Sequence, residues 1–473
     1  MGSVPTSNET SFIRLKEFIA APYGFKYPEL ELSTDDAPNR SVTSHSKHIL
    51  ILGAGVSGLM VAWMLLDKGY RVTIIADDWA WNRDFEKSRM TSQIAGALWE
   101  FPPGGFGVAE GGHANDGWTK MIHQRQWAVD SFDFYNQYDK IDTDFEKHGR
   151  SLGLQMTKLH QFYFDNVVSG GEDEESKKLE ALKKVSDERS EFEMGIKTYD
   201  SAEKITAQFP NVNNKGEIRQ KFTSAYSHRT PIINTDKAMA YLMALVTAKG
   251  AQLETQKFVG SIKTFGESLL KDHGADVIVN ATGIAAKELA EDDDVFPMRG
   301  AVKRIDNTRN GQFRHLNDAY LVPAQKDSLG HVIKSIVIIP RSDDVLYIGS
   351  LMQSGNYGND LTPDSPEVQV MWNRAGEFMP KLLAAGVVPS YPFAQGLRPC
   401  TKKNAKVRAD EETKFHLVHN YGHGGAGWTL GVGTARTAVA IVEALLGALP
   451  DGRTTKALGA KEINEKIYGK RSE

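Results

Sequence analysis

The alternation of apolar and polar positions predicts a β-α-β unit close to residue 50. Residues 49–52 are four consecutive apolar residues, a pattern typical of a strand that is buried on both faces. Residues 59–66 repeat apolar positions with helical spacing, and after Gly69 residues 71–75 again have the pattern of a strand. We therefore expect two parallel strands that are joined by a helix.

The turn between the first strand and the helix has the sequence G-x-G-x-x-G, which is typical of dinucleotide-binding proteins in this context. Gly53 would permit the tight turn, Gly55 would let the backbone approach a pyrophosphate, and Gly58 would let the helix pack closely on the strand. The helix N-terminus would then face the phosphates with its free N–H groups. The candidate cofactor-binding residues of this turn are Gly53, Ala54, Gly55, Val56, Ser57 and Gly58. The alternative is a glycine turn with a structural role only, and the motif does not separate NAD from FAD.

Two acidic residues follow the second strand. Asp77 lies 19 positions beyond Gly58, where a carboxylate can accept hydrogen bonds from ribose hydroxyls. Asp78 is the competing candidate, and either acid could instead be a solvated loop charge.

The remaining chain alternates between helical and strand patterns. Residues 118–140 predict a helix, and the charge-dense residues 170–192 predict a solvated helix with opposite charges as neighbours. Residues 275–283 predict a second buried strand that ends in a small-residue turn, and residues 296–352 are mostly β. Residues 434–446 predict a helix that returns the chain to the nucleotide-binding domain. The glycine-rich residues 101–117 are either an active-site cover or a plain surface loop.

Composition narrows the function classes. The chain has 473 residues, enough for two domains, and its 41% hydrophobic and 25% charged content is ordinary for a globular protein. A net charge of −4 gives no support for nucleic-acid binding, and one cysteine excludes an internal disulfide. We expect no signal peptide, membrane span, metal site or C-terminal peroxisomal tripeptide, which favours an intracellular protein. A homodimer is an open expectation.

Several segments together resemble one enzyme family, the FAD-dependent D-amino-acid oxidases within the glycine oxidase and sarcosine oxidase group. Residues 419–429, HNYGHGGAGWT, are close to the family's HNYGHGGYGLT signature. The likeness covers roughly residues 48–448 in family order. The other similar segments are residues 76–78, 90–99, 276–283, the family's "GRG" turn at 298–300, and the "GLRP" element at 396–399.

The resemblance implies an α/β fold with a Rossmann-like FAD-binding domain and a second, mainly antiparallel β-sheet domain for the substrate. The implied organisation is an N-terminal extension (1–47), an FAD-binding domain (48–118, 226–300 and 395–450), a substrate domain (119–225 and 301–394) and a C-terminal tail (451–473). The glycine cluster near residue 425 precedes a predicted helix, whose N-terminus would stabilise negative charge on a reduced flavin. Further FAD-binding candidates are Thr91, Ser92, Ala97, Leu98, Phe258, Thr282, Gly283, Gly424, Gly425, Gly427, Trp428 and Thr429.

The resemblance also implies the reaction. A hydride leaves the substrate Cα for flavin N5, the imine hydrolyses to a 2-oxo acid and ammonia, and O₂ becomes hydrogen peroxide. The cofactor carries this chemistry, so the protein is expected mainly to position and polarise the substrate. The alternatives are a flavin oxidase of a larger or secondary amine or an L-amino acid, and a non-catalytic flavin-binding homologue.

Arg398 is the residue that we expect to bind the substrate, because a guanidinium fork can hold a carboxylate through two parallel hydrogen bonds. The alternative interpretation is that Arg398 forms a structural ion pair. Gly425 is a further substrate-binding candidate. His423, between two glycines, is expected to form structural hydrogen bonds rather than to transfer a proton. A covalent flavin link through Cys400 is not favoured, because the surrounding motif does not match the sarcosine oxidases.

The chain departs from the family at the strand that normally carries two pocket tyrosines. Ile333 and Val337 stand at those positions, so an aromatic wall and a hydroxyl donor are missing. Tyr320, Tyr347 and Tyr357 are candidates to compensate. This departure leaves the substrate and its stereochemistry open.

Overall fold

The computed structural model describes residues 12–20, 22–81, 89–104, 118–141, 151–214, 221–308, 315–326, 332–341, 344–447 and 454–470. The strands are β1 (Phe12–Leu15), β2 (Phe18–Ala20), β3 (Phe25–Tyr27), β4 (Leu30–Ser33), β5 (His48–Leu52), β6 (Arg71–Ala76), β7 (Leu154–Tyr163), β8 (Lys197–Tyr199), β9 (Ser224–Ile233), β10 (Gln252–Thr255), β11 (Val277–Asn280), β12 (Val295–Asp306), β13 (Ala319–Lys326), β14 (Val332–Pro340), β15 (Val345–Gly349), β16 (Gln353–Ser354), β17 (Phe393–Thr401), β18 (Lys406–Ala409) and β19 (Leu417–Tyr421). The helices are α1 (Val56–Asp67), α2 (Thr91–Ile94), α3 (Met121–Ile141), α4 (Glu174–Glu188), α5 (Ala202–Gln208), α6 (Thr235–Ala248), α7 (Ile262–His273), α8 (Ala286–Leu289), α9 (Pro366–Phe378), α10 (Gly427–Leu446) and α11 (Ala460–Tyr468).

Six strands form a largely parallel sheet in the order β10-β6-β5-β11-β19-β18. Its neighbouring strands are parallel except for β18 and β19. β5, α1 and β6 form the β-α-β unit that the sequence predicts, so this prediction is confirmed. Because β5, β11 and β19 are adjacent and parallel, their carboxyl ends meet at one edge, where ligands bind in open α/β sheets.

The side chains of β5 alternate between two cores. Ile49 and Ile51 belong to the core formed with α1, α6 and α10, whereas Leu50 and Leu52 belong to the core formed with α7. Both faces of the strand are therefore covered, which is why residues 49–52 contain no polar position.

Nine strands form the second sheet, which runs in the order β16-β12-β15-β14-β13-β7-β9-β8, with β17 paired to β12. Its pairs are antiparallel except for β13 with β7. The predicted mainly antiparallel second sheet is confirmed. The segment 298–300, expected as a turn, instead lies inside β12, where Gly300 is opposite Gly396.

α10 begins at Gly427, so the prediction that this helix starts at residue 434 was wrong. Glycine is a poor helix former, but here it permits close helix packing. A Cβ on Gly433 would lie closer than 3.0 Å to the backbone of Trp127 in α3. By length and composition the stretch Gly424–Leu446 could cross a membrane, but 89% of its most apolar window is buried inside the protein, as in a core helix.

The predicted domain bounds stay a prediction, and several elements cross them. α3 falls in the segment assigned to the substrate domain but packs against α10 and β1. β12 spans the boundary at residue 300. The predicted tail contains α11, whose Ile463 and Ile467 are buried. Of the glycine-rich loop, residues 105–117 lie outside the described residues.

The charge-dense segment forms α4, but the expectation of a solvated helix was wrong for one face, where Ser176, Lys178, Leu179 and Leu182 are buried. Lys178 is fully buried, and its Nζ lies 2.6 Å from Oε1 of Glu100. The charge pattern alone hides this contact, because its partner is 78 residues away in sequence.

The N-terminal segment is tied to the end of α1 by the carboxylate of Asp67. This carboxylate accepts hydrogen bonds from the backbone N–H of Ser33 (2.8 Å) and of Asn39 (3.1 Å) and from the indole of Trp63 (2.8 Å). Its Oδ1 lies 2.6 Å from Nζ of Lys249, and neither side chain is exposed. The end of β4 and the segment around Asn39 are thus held against α1.

We expect Asp67→Ala to lower the free energy of unfolding by about 3–5 kcal/mol, because it leaves the ammonium group of Lys249 buried without its carboxylate. Urea denaturation measures the loss. The matched control is Asp200→Ala, since Asp200 pairs with Lys204 but both side chains are at least half exposed. Equal losses in the two variants would contradict the anchoring role of Asp67.

Candidate active site

A cavity of about 690 Å³ lies where the carboxyl ends of β5, β11 and β19 meet the face of the nine-stranded sheet. Gly53 and Thr282 line it from the parallel sheet, and Leu321 and Val337 line it from β13 and β14. Its size is within the range of ligand-binding sites.

The glycine turn needs glycine at two positions because backbone groups approach closely there. Gly53 has a φ of +105°, and a Cβ at this residue would lie 2.5 Å from the carbonyl oxygen of Ala281. A Cβ on Gly58 would lie closer than 3.0 Å to the carbonyl oxygen of Gly53. Gly58 thus packs beneath the turn and does not line the cavity, whereas Gly53 and Gly55 do.

The segment around α2 joins the two helices that start at the cavity. Ser92 accepts a hydrogen bond at Oγ from the backbone N–H of Val56 (3.1 Å), at the start of α1. The backbone carbonyl of Ser92 accepts one from the indole of Trp428 (3.0 Å), at the start of α10. Thr91 donates its hydroxyl to the carbonyl oxygen of Leu397 (2.9 Å). The cavity wall is therefore held to both helix N-termini and to β17.

The N-terminus of α10 is the second helix end at the cavity. Gly424 has a φ of +57°, and a short 3₁₀ turn, Gly424–Ala426, leads into α10. Gly425, Gly427 and Trp428 line the cavity. Two helix N-termini, those of α1 and α10, thus present partial positive charge to the same space.

His423 is buried and held between two hydroxyl groups. Its Nδ1 lies 3.4 Å from Oγ of Ser57, and its Nε2 lies 3.1 Å from Oγ1 of Thr434. Burial lowers the pKa of His423 to about 4, so the imidazole is neutral near pH 7. These contacts agree with the structural hydrogen-bonding role expected from sequence.

Both acids after β6 line the cavity, so the choice between them stays open. Asp77 is 64% exposed at its side chain and has Nζ of Lys257 at 3.8 Å. Asp78 uses Oδ1 to accept a hydrogen bond from the backbone N–H of Trp79 (2.8 Å). Asp77 thus has the more available carboxylate.

Arg398 places its guanidinium against β12, at the cavity. Its Nη1 donates to the carbonyl oxygen of Leu351 (3.3 Å), and a Cβ on Gly300 would overlap the guanidinium. Burial lowers the pKa of Arg398 from its ordinary value, although arginine stays charged at neutral pH. Among the described residues, no carboxylate lies within ion-pair distance of Arg398. The guanidinium is therefore available for an anionic ligand.

The cavity brings together most of the residues that the sequence analysis singled out. Besides Arg398 and Val337, these are Gly53, Ala54, Gly55, Val56, Ser57, Asp77, Asp78, Thr91, Ser92, Ala97, Leu98, Thr282, Gly283, Gly424, Gly425, Gly427 and Trp428.

Three other expectations need correction or stay open. Phe258 does not line the cavity, because its ring stacks on Phe265 in the core beside α7, with the ring centroids 4.7 Å apart. Thr429 does not line it either, and its hydroxyl donates to the carbonyl oxygen of Leu98 (3.5 Å). Ile333 lies in β14, but its side chain is outside the described part of the structure.

None of the three candidate tyrosines lines the cavity. Tyr320 packs against Phe162 and His160 on the opposite face of the second sheet, and Tyr347 is buried beneath the guanidinium of Arg341. Tyr357 is 53% exposed. None of these three tyrosines therefore covers the apolar wall around Val337.

The sequence analysis missed several polar residues of the cavity, including Arg89, Glu100, Ser335 and Ser350. The one signal in the sequence that could have identified Glu100 was its position directly after the segment 90–99. Ser335 lies inside β14 and Ser350 directly follows β15, with their Oγ atoms 2.8 Å apart, and only the sheet register reveals that they meet.

A family model described as "FAD dependent oxidoreductase" (DAO) matches residues 48–441. This chain belongs to that family. It is thus an oxidoreductase whose cofactor is FAD. The match spans the six-stranded sheet, the nine-stranded sheet and the whole cavity.

Several relatives with curated names are similar in sequence, and a solved structure is similar in fold. A D-amino-acid oxidase of Rubrobacter xylanophilus is 32% identical over 224 residues, which cover 47% of this chain and 60% of that protein. A D-amino acid oxidase of Dugesia ryukyuensis is 24% identical and covers 84% of this chain and 98% of that protein. The fold resembles glycine oxidase from Geobacillus kaustophilus, with a TM-score of 0.58 and 17% identity over 84% of this chain and 95% of that one.

We expect Gly58→Ala in this DAO-family protein to reduce the FAD retained on purification, because the new methyl group forces α1 away from the glycine turn. The ratio of flavin to protein absorbance measures the loss. The control is Gly386→Ala, since a Cβ on Gly386 meets nothing within 4 Å. Full FAD content in Gly58→Ala would contradict the close-packing role of Gly58.

Proposed function

We propose that this protein is an oxidase of a carboxylate-bearing amino acid, similar to a D-amino-acid oxidase, with a 2-oxo acid, ammonia and hydrogen peroxide as products. One observation carries the proposal. Arg398 presents a cation to the cavity and has no carboxylate partner among the described residues.

Arg398 would bind the substrate carboxylate through a bidentate, charge-assisted pair. Such a fork fixes both the position and the plane of the carboxylate, and therefore the direction in which the Cα–H bond points. The carbonyl of Leu351 and the surface of Gly300 restrict the guanidinium, so part of the entropic cost of ordering it is met before the substrate binds.

FAD, when bound, would supply the redox chemistry, as the acceptor of the substrate hydride and the donor of electrons to O₂. The N-terminus of α1 would hold the pyrophosphate, with the glycine turn allowing close approach. The N-terminus of α10 would stabilise negative charge on the isoalloxazine ring through the backbone N–H groups near Gly425 and Gly427. Asp77 or Asp78 would accept hydrogen bonds from the ribose.

A secondary amine or an L-amino acid is the second candidate substrate. The observation that favours it is the apolar wall of Leu321, Val337 and Ile339, which none of the three candidate tyrosines covers. A wall without aromatic side chains leaves room for larger substituents than an aromatic lid would.

Anaerobic mixing of the purified holoenzyme with single substrates tests the proposal. D-amino acids are expected to bleach the flavin absorption and, in air, to produce peroxide and ammonia in equal amounts. Bleaching by N-methyl amino acids or L-amino acids alone would replace the proposal with the second candidate. No bleaching with any of the three classes would contradict both.

We expect Arg398→Ala to lower kcat/KM for the best amino-acid substrate roughly 100-fold, because the charge-assisted fork is lost. This factor corresponds to a loss of about 3 kcal/mol in transition-state stabilisation. Arg398→Lys is expected to recover part of this loss, since it restores the charge but not the bidentate geometry. Steady-state peroxide production measures both variants. An unchanged kcat/KM in Arg398→Ala would remove this residue from the substrate site.

We expect Gly300→Ala to lower kcat/KM at least about tenfold while FAD content stays unchanged. The added methyl group occupies the place of the guanidinium and so displaces Arg398 without removing its charge. Peroxide production and the flavin spectrum are the two readouts. Wild-type kcat/KM in Gly300→Ala would show that the position of Arg398 against β12 is unimportant.

A further inference from the structure

Two serine side chains form a hydroxyl pair on the wall of the cavity. Ser335 lies inside β14, and Ser350 directly follows β15, which is the neighbouring strand. Both residues line the cavity, and their Oγ atoms lie 2.8 Å apart, the usual length of a hydrogen bond between two hydroxyl groups. The pair therefore links the two strands at a point that a ligand can reach.

The surroundings of the pair on the cavity side are apolar. Val337 follows Ser335 by two positions in β14 and so points to the same face of the sheet. Met352 follows Ser350 by two positions, and both Val337 and Met352 line the cavity. Leu351 packs instead in an apolar cluster with α9. Neither Val337 nor Met352 offers a strong hydrogen-bond partner to the two hydroxyl groups.

The pair has one more proton than its own hydrogen bond uses. A serine hydroxyl donates one hydrogen bond and has two lone pairs that accept. In the described part of the chain, no other group forms a hydrogen bond with either hydroxyl. A donor that loses water to a ligand without gaining an acceptor costs free energy. The pair thus offers one O–H donor to a ligand that has an acceptor at this place.

Arg398 lies on the side of the pair that is nearer to Ser350. Its Nη1 donates to the carbonyl oxygen of Leu351 (3.3 Å), the residue after Ser350. The guanidinium lies over Gly300 in β12, and β12 pairs with β15 before this segment and with β16 after it. The segment of Ser350 is therefore held beside β12, whereas Ser335 lies one strand further away.

A carboxylate that is bound to Arg398 is within reach of Ser350. Neighbouring strands lie about 4.8 Å apart. A hydrogen bond to a carboxylate oxygen is about 2.8 Å long, so one oxygen can join two donors that are up to about 5.5 Å apart. A carboxylate has about four lone-pair sites, and a guanidinium fork leaves some of them open. A further donor can therefore bind the same carboxylate without displacing it from Arg398.

We infer that Ser350 is a second substrate-binding residue, whose hydroxyl donates a hydrogen bond to the carboxylate that Arg398 holds. Ser335 is its positioning residue, because it donates to Oγ of Ser350 and so directs the proton of Ser350 into the cavity. This order of donation follows from the fold, since Ser350 is the serine beside Arg398. A hydroxyl that accepts one hydrogen bond is also a stronger donor of the next. The inference rests on the proposed function, in which Arg398 holds the substrate carboxylate.

Binding of hexanoate to the holoenzyme tests this inference, because hexanoate has a carboxylate and no amino group. The change in the flavin spectrum on titration gives its Kd. Ser350→Ala is expected to raise the Kd about tenfold, as the loss of a hydrogen bond to a charged acceptor does. Ser335→Ala is expected to raise it only about threefold, because the Ser350 hydroxyl remains but is no longer oriented. An unchanged Kd in Ser350→Ala, or a larger rise in Ser335→Ala than in Ser350→Ala, would overturn the inference.

Two further variants distinguish a hydrogen bond from a general effect on the cavity. Ser350→Thr keeps the hydroxyl, so the Kd of hexanoate is expected to stay within about threefold of the wild-type value. Ser354→Ala is the matched control, because Ser354 in β16 is exposed and does not line the cavity, and its Kd is expected to be that of the wild type. An equal rise in Ser350→Thr and Ser350→Ala would assign the effect to packing and overturn the role of the hydroxyl.

Two replacements keep the test decisive. If Ser350→Ala does not retain FAD, Ser350→Cys takes its place, and its weak S–H donor is expected to raise the Kd at least about threefold. If hexanoate does not change the flavin spectrum, KM for the best amino acid becomes the readout, and it is expected to rise more in Ser350→Ala than in Ser335→Ala. A wild-type value in the replacement measurement would overturn the inference.

Oxidation separates this inference from the proposed function. A hexanoate Kd that depends on Ser350, without oxidation of any amino acid, would defeat the proposed function alone. Oxidation of amino acids that is lost in Arg398→Ala, with the same hexanoate Kd in wild type and Ser350→Ala, would defeat the inference alone.

Discussion

The close approach of α1 to the glycine turn is the constraint on which the cavity depends. A side chain on Gly58 would collide with the carbonyl oxygen of Gly53, and a side chain on Gly53 would collide with that of Ala281. These contacts fix the start of α1 above the carboxyl ends of β5 and β11. The same parallel pairing brings the end of β19, and with it the start of α10, to the same edge.

The helices behind this edge are packed through small residues in the same way. Gly433 in α10 lets the backbone of α3 approach. A Cβ on Gly427 or on Gly431 would lie within 4 Å of the side chain of Val56. Periodicity-based reasoning treats glycine as a helix breaker, and this is why it placed the start of α10 seven residues too late. The true start puts Gly427 and Trp428 in the first turn of the helix, where backbone N–H groups have no partner within the helix itself.

Local patterns predicted the parts of the fold whose partners are close in sequence. The β-α-β unit, the glycine turn and Asp77 all lie within 30 residues, and their spacing carries the necessary information. The buried Lys178 was not predictable in this way, because α4 has the charge pattern of a surface helix and the carboxylate of Glu100 comes from a distant segment. The side-chain packing of Phe258 was not predictable either, because the side chain of a residue after a strand can turn to the cavity or to the core beside α7.

The buried arginines of the structure differ in whether a carboxylate of the described residues pairs with them. Arg299, two residues before Ala301 in β12, is paired with Asp360 and Gln353, and Arg89 at the cavity is paired with Asp236. Burying a guanidinium without a counter-charge is costly, and these two residues meet that cost inside the protein. Arg398 has instead a carbonyl contact at 3.3 Å and no carboxylate from the described residues. An anion that entered the cavity would compensate its desolvation, and this electrostatic argument supports the proposed carboxylate ligand more directly than the shape of the cavity does.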